Sequence, residues 1–190
     1  MEYFNNVVQI IKFTATNTLK EGMNFIDATL GNGNDFVYLK KLVGDSGVGY
    51  GFDIQKDAVK TTINRIKEYN LEKNSIIIND GHENIDLYVD KLIDCCVFNL
   101  GYLPKGDHKI VTKSKTTIEA IKKVMKKLNY GGRIFIASYR GHIGGDDECK
   151  DIEKFLSNVD QKEYNISRIE FINQSNMPPK LFIIEKRKNK

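Results

Sequence analysis

No run of about twenty apolar residues occurs anywhere in the 190-residue chain, so a membrane-spanning helix is not expected. The opening residues, Met1-Glu2-Tyr3-Phe4-Asn5-Asn6, lack a basic stretch followed by an apolar one, and no secretory signal is expected. Cysteine is sparse: Cys95, Cys96 and Cys149, without C-x-x-C spacing. That argues against a disulfide framework and against a zinc site, and no metal is expected. The adjacent pair Cys95-Cys96 sits in an apolar run and reads as two small hydrophobes, with a reducing cytoplasm as the natural compartment. Repeats and low-complexity linkers are also missing. The length suits one domain over residues 1–190.

What is present is an ordinary globular composition, 41% hydrophobic and 28% charged, enough to bury roughly 70% of the unfolded chain's surface. Net charge is only +4. The lysines cluster, however: Lys105, Lys109, Lys113, Lys115, Lys122, Lys123, Lys126 and Lys127 crowd one segment, and Lys186, Arg187, Lys188 and Lys190 lie at the end. Such a surface attracts an anionic partner, although lysines also simply solvate helix faces.

Strand-like and helix-like stretches alternate, the pattern of a parallel sheet covered by helices. Helical spacing of Phe4, Val7, Val8, Ile11 and Ala15 predicts a helix over 3–19, packing on or near the rest of the fold. Strands are expected at 24–28, 48–53, 75–78, 92–100 and 133–138, with helices at 35–43, 56–69, 116–129 and 146–158. Gly131-Gly132 is read as the stop of the lysine-rich helix. The last two strands, 164–172 and 180–186, have only a loop between them. They should therefore be antiparallel, because parallel strands need a long crossover. Five alternating strands followed by an antiparallel pair resemble the Rossmann-like class I methyltransferase fold: an α/β architecture with a seven-stranded, mostly parallel sheet, one antiparallel strand and helices on both faces.

The first strand runs into Asp27-Ala28-Thr29-Leu30-Gly31-Asn32-Gly33-Asn34-Asp35. Glycines in such a turn let backbone approach a ligand closely. The motif departs from G-x-G-x-x-G, because Phe36 stands where the third glycine would be, which favours adenosylmethionine over a dinucleotide. Asp53 lies 22 residues beyond Gly31, the spacing of a carboxylate that binds ribose hydroxyls. Gln55 adds a contact. The third strand ends in Asn79-Asp80-Gly81-His82, placing Asp80, Gly81 and His82 along an adenine edge; for His82, packing or capping is the plain alternative.

The fourth strand ends in Asn99-Leu100-Gly101-Tyr102-Leu103-Pro104. This resembles the Asn/Asp-Pro-Pro-aromatic loop of methyltransferases acting on exocyclic amines, with Leu100-Gly101 replacing the two prolines. An Asn oxygen can accept an amine N–H and aim the nitrogen lone pair, and Tyr102 can stack on a base. Asn99 thus serves both cofactor and reaction. An alkylamine arrives protonated, so a proton acceptor would help, with Asp107, His108 and His142 as candidates. His142 lies in Ser138-Tyr139-Arg140-Gly141-His142-Ile143-Gly144-Gly145, read as a loop closing on substrate. Asn173 and Asn176, in Asn173-Gln174-Ser175-Asn176-Met177-Pro178-Pro179, suit hydrogen bonding to a base or ribose, a rigid hairpin loop being the alternative.

Together these motifs, with Phe52-Asp53-Ile54-Gln55, resemble the YtqB/MnmM-type methyltransferases over about residues 5–186. The resemblance implies S-adenosylmethionine as cofactor and tRNA as partner, bound at the anticodon region. It implies methylation of the 5-aminomethyl group of (2-thio)uridine at the wobble position. Tyr102, Tyr139, Arg140, His142, Asn173 and Asn176 are then substrate-side residues. Arg140 stands where the family's Tyr-Pro-Gly-His loop has proline, and a phosphate contact is one role open to it. An rRNA or small-molecule amine methyltransferase, and a non-catalytic nucleotide- or RNA-binding module, are the competing readings. The oligomeric state stays open, a homodimer included.

Overall fold

The computed structural model describes residues 4–101 and 112–188. Tyr102, Asp107 and His108, three of the residues singled out above, lie outside them. The strands are β1 (Phe25–Asp27), β2 (Gly49–Phe52), β3 (Ser75–Ile78), β4 (Ile93–Leu100), β5 (Leu128–Ser138), β6 (Tyr164–Ile169) and β7 (Lys180–Lys186). They form one sheet in the order β3-β2-β1-β4-β5-β7-β6. β1 to β5 pair in parallel, and β7 runs antiparallel to both β5 and β6. The expected architecture, with its single reversed strand, is the one observed.

The helices are α1 (Val7–Thr18), α2 (Asn34–Val43), α3 (Lys56–Glu68), a short α4 (Ile85–Tyr88), α5 (Ser114–Lys127) and α6 (Gly145–Leu156). Period-two alternation along the central strands sends successive side chains to opposite faces. Phe25, Cys95, Val97, Phe135 and Ala137 pack in one cluster with Val7, Ile10 and Ile11 of α1 and Phe36 and Leu39 of α2. Ile26, Cys96, Phe98, Ile134 and Ile136 enter the other, with Ile121 and Val124 of α5 and Ile152 of α6. Each fully buried large side chain contributes roughly 1.5–3 kcal/mol. The two cysteines of the pair thus face opposite layers, and both are buried and free. Helix α1 packs directly on the sheet layer, capped by Asn6, whose Oδ1 accepts from Gln9 N at 3.0 Å.

One sequence expectation changes. Gly131-Gly132 does not stop the basic helix. That helix ends at Lys127, and the glycines lie within β5. There Ile93 pairs with Leu128 but Cys95 pairs with Arg133, so residues 129–132 bulge out of register. Gly131 takes the positive φ of 80° that the bulge requires. The stretch after His82 also folds, as a 3-10 turn over His82–Asn84 and then α4.

Candidate active site

A cleft of about 1270 Å³ opens where the parallel strands end, lined by Ala28–Asn32 and Asn34 after β1, by Asp53–Gln55 after β2, by Asp80–Glu83 after β3 and by Asn99–Gly101 after β4. This is the carboxyl edge at the switch point between β1 and β4, where open α/β sheets bind ligands. The cleft exceeds the roughly 300–1,000 Å³ of a typical small-molecule site, leaving room for a nucleoside cofactor and a second group.

The glycine loop is held from several directions. Gly31 N donates to Asp53 Oδ2 and Gln55 N to Asp53 Oδ1, both at 2.9 Å. Asp53 therefore braces the loops after β1 and β2, and each of its oxygens keeps a second lone pair for a ligand. Gly33 has φ 73°, and a Cβ there would meet Thr62 Oγ1 at 2.5 Å. Its missing side chain makes room for buried Thr62 of α3, not for a ligand, and Gly33 does not line the cleft. Asn32 and Asn34 do line it, and Asn34 Oδ1 accepts from Arg65.

Asp27 is also not on the cleft wall. It is 1% exposed, and its Oδ1 accepts from Thr29 N at 3.2 Å. Burial pushes its carboxyl well above the usual range, reinforced by the neighbouring carboxylate of Asp35 and, less strongly, of Asp53.

Asn99 is fixed at both ends. Its backbone N donates to Thr29 Oγ1 at 2.6 Å, and its side-chain Nδ2 donates to Asp35 Oδ2 at 2.5 Å. The carboxylate can only accept, so the amide orientation is set. The remaining Oδ1 is buried and has no hydrogen-bond partner among the described residues. Asp35 also faces Lys12 Nζ of α1 at 3.8 Å. Burial raises the Asp35 carboxyl, while Lys12 and Asn99 pull it back down.

His82 Nδ1 stands 3.1 Å from the Ala28 carbonyl. That nitrogen must carry the proton, so Nε2 is an acceptor, and it is buried without a partner among the described residues. Burial depresses the ring's pKa, which keeps it neutral. Asp80 is occupied by its own loop, accepting from Gly81 N, Asn84 Nδ2 and Tyr88 OH at 2.7, 3.0 and 2.8 Å.

On the opposite wall stand Tyr139, Arg140, His142 and Asn176, all on the cleft, whereas Asn173 is not. Arg140 donates to the Pro178 carbonyl at 3.1 Å and pairs with Glu170 and Asp146 at 3.5 and 4.0 Å. It ties the loop after β5 to the loop between β6 and β7, and its guanidinium faces two carboxylates and a carbonyl of the chain itself. The tied loop carries Asn176 and Met177, both at positive φ (63° and 53°). Such strain persists where surrounding structure enforces it.

Sequence reasoning misses several residues. Lys12, Arg65 and Thr112 line the cleft. Buried Glu148 of α6 accepts from Thr112 Oγ1 at 2.6 Å and Thr117 Oγ1 at 2.8 Å. Gly101 N donates to the same Thr112 hydroxyl at 3.1 Å, and Thr112 N returns a bond to Gly101 O at 3.1 Å. Glu148 thus anchors both Gly101 and Thr112; from sequence it is only one acid in a helix's first turn. Two lysines of the basic helix prove structural: Lys123 pairs with Asp86 and Lys127 donates to Val89 O, leaving Lys113 at its N-terminus and Lys115, Lys122 and Lys126 within it exposed.

Residues 49–185 match the model of the family described as "Putative rRNA methylase". The chain is 34% identical over 181 residues to "tRNA (mnm(5)s(2)U34)-methyltransferase, chloroplastic" of Arabidopsis thaliana, covering 90% of this chain and 66% of that protein. A solved structure from Clostridium thermocellum, described as a "putative rRNA-methylase", is 43% identical with a TM-score of 0.94, covering 96% of this chain and 98% of that one. A Streptococcus mutans structure, described as a "putative methyltransferase" in complex with SAH, is 36% identical with a TM-score of 0.88 over 96% and 98% of the two chains.

Proposed function

The chain belongs to the "Putative rRNA methylase" family, whose relatives place it among the S-adenosylmethionine-dependent methyltransferases, and from that premise we propose that it methylates the amine of 5-aminomethyl-(2-thio)uridine at the tRNA wobble position. The reading rests above all on Asn99 Oδ1, a buried acceptor at the cleft with no partner among the described residues. An incoming amine supplies the N–H that it lacks. The activity for which the Arabidopsis relative is named supports the tRNA assignment.

The residues fit the cofactor. The lone pairs left on Asp53 suit ribose hydroxyls, Ile54 and His82 flank the space for a base, and the loop from Thr29 to Asn34 frames the remainder. When bound, S-adenosylmethionine supplies an electrophilic methyl on a sulfonium. The chain's part is positioning: Thr29 and Asp35 immobilise Asn99 before substrate arrives, so little orientational entropy is lost at the moment of reaction. Tyr139, His142 and Asn176 form the substrate wall. RNA reaches this wall past exposed Lys113 and Lys115.

The test is nucleoside mass spectrometry of tRNA and rRNA after incubation with purified protein and S-adenosylmethionine. Methylaminomethyl-uridine should appear in tRNA only, and Asn99→Ala should lower the rate by about 10²–10³-fold, as for loss of one preorganised polar group. Unmodified aminomethyl-uridine, or methyl groups appearing in rRNA instead, would overturn the reading.

A further inference from the structure

The Asn99–Asp35 pair presents more than an aligned amide. Asp35 Oδ2 is used by Asn99 Nδ2, whereas among the described residues Asp35 Oδ1 faces Lys12 Nζ at 3.8 Å, beyond hydrogen-bond length. Both residues line the cleft, and Asp35 keeps 19% of its side chain exposed there. Two acceptors, Asn99 Oδ1 and Asp35 Oδ1, therefore stand on one hydrogen-bonded unit. A primary alkylamine near neutral pH carries three N–H bonds and no lone pair. One acceptor can hold it, but a second group must remove a proton before nitrogen can attack.

We propose, resting on the amine-methylation reading above, that Asp35 is the proton acceptor of the reaction, with Lys12 of α1 setting its charge state. The balance is complete. The ammonium R–CH2–NH3⁺ gives one proton to Asp35 Oδ1 and becomes R–CH2–NH2, held by Asn99. The freed nitrogen pair forms the new N–C bond. The S–C bond breaks with its electrons going to sulfur, leaving S-adenosylhomocysteine and R–CH2–NH2⁺–CH3. Asp35 then returns its proton to solvent through the open cleft.

The surroundings suit a carboxylate that must both ionise and accept. Burial raises the Asp35 carboxyl, and Lys12 and Asn99 oppose that rise. The other groups around it are Asp27 beneath the loop, coupled to it through charge, Tyr139 across the cleft, whose phenol is raised by burial and by Asp35, and Tyr38 on its own helix, beside Lys12. None of these supplies a competing positive charge. Removing Lys12 must then raise the Asp35 pKa and move the acid limb of the rate profile to higher pH.

Asp35→Asn keeps an acceptor for Asn99 Nδ2 while abolishing ionisation. With tRNA carrying 5-aminomethyl-uridine, kcat/KM should fall by about 10²–10⁴-fold at pH 7, the usual span for a general base. The loss should shrink steadily toward pH 10, where the alkylamine deprotonates unaided. Lys12→Met should shift the acid limb upward, and calorimetry should show S-adenosylmethionine binding within a few fold of wild type in both variants. A loss equal at every pH would make Asp35 a positioning residue and overturn the proposal, as would a loss accounted for by weaker cofactor binding or an unmoved acid limb in Lys12→Met. If wild type methylates no amine at all, the underlying function fails, an outcome distinct from a pH-independent defect in an active enzyme.

Discussion

Replacing Gly33 with alanine separates two explanations for the glycine loop. From sequence, the glycine serves a nearby ligand; in the structure, it serves Thr62. The new Cβ would lie 2.5 Å from Thr62 Oγ1 and 2.7 Å from its Cγ2, and Thr62 is fully buried, with its hydroxyl donating to Gly31 O at 3.2 Å. Holding a non-glycine residue at φ 73° costs roughly 1–2 kcal/mol, and the overlap costs about 1–3 kcal/mol more. The sum, about 2–5 kcal/mol, corresponds to a fall in Tm of roughly 4–20 °C for a chain of this size. Urea unfolding of Gly33→Ala, Thr62→Ala and the double variant closes a thermodynamic cycle. The double variant should be more stable than additivity predicts by about 1–3 kcal/mol, since the clash is gone. A single-variant cost below about 1 kcal/mol, or additive effects within ~0.5 kcal/mol, would refute this account and return the glycine to a ligand role.

Three further outcomes follow from the same geometry. Glu148→Ala leaves the Thr112 and Thr117 hydroxyls without their charged acceptor, so it should cost about 2–4 kcal/mol in urea unfolding and lower the methylation rate through Gly101. Arg140→Ala should weaken RNA binding while leaving the salt dependence of that binding unchanged, because the guanidinium is held by Glu170, Asp146 and Pro178; a slope smaller by about 1 would instead assign it a phosphate. Asp27, whose carboxyl is raised by burial and by Asp35 and Asp53, retains a proton in the folded state at pH values where the unfolded chain has lost it. Stability of the ligand-free protein should therefore fall as pH rises above the ordinary carboxyl range of about 4, and Asp27→Asn should flatten that fall in Tm measured against pH.

Residues whose partners are near in sequence, or whose pattern is periodic, reveal their structural roles. β4 is legible because it is buried on both faces and reads as a continuous apolar run, and the β6–β7 pair is legible because the seven residues 173–179 left between the two expected strands cannot make a parallel crossover with a covering helix. Gly131-Gly132 misleads because a helix stop and a strand bulge both call for positive φ, so composition alone cannot separate them. Arg140 is illegible for another reason. Its partners Glu170 and Pro178 lie 30 and more residues away, and only the folded sheet brings them together. Lys12 is equally hidden, since nothing in α1's apolar spacing says that the next residue round the helix reaches Asp35. Asn99 is the opposite case: the end of a central strand is a place of known consequence.

The acceptors left open in this cleft also explain what the loop costs. A buried polar atom without a partner destabilises the folded chain by roughly 1–3 kcal/mol, and Asn99 Oδ1 and His82 Nε2 are two such atoms. Neither can relieve itself by rotation. The Asn99 amide is held by Asp35 and the His82 ring by the Ala28 carbonyl. A side chain free to turn would satisfy its own oxygen with water and would have to be reoriented by each arriving substrate. Here the bonds that prevent relaxation are the same ones that set direction, so the penalty borne by the empty fold is returned when a ligand brings its N–H. Stability and positioning at this edge of the sheet are therefore coupled through single hydrogen bonds, and a substitution that relieves one orphan atom should gain stability at the expense of rate.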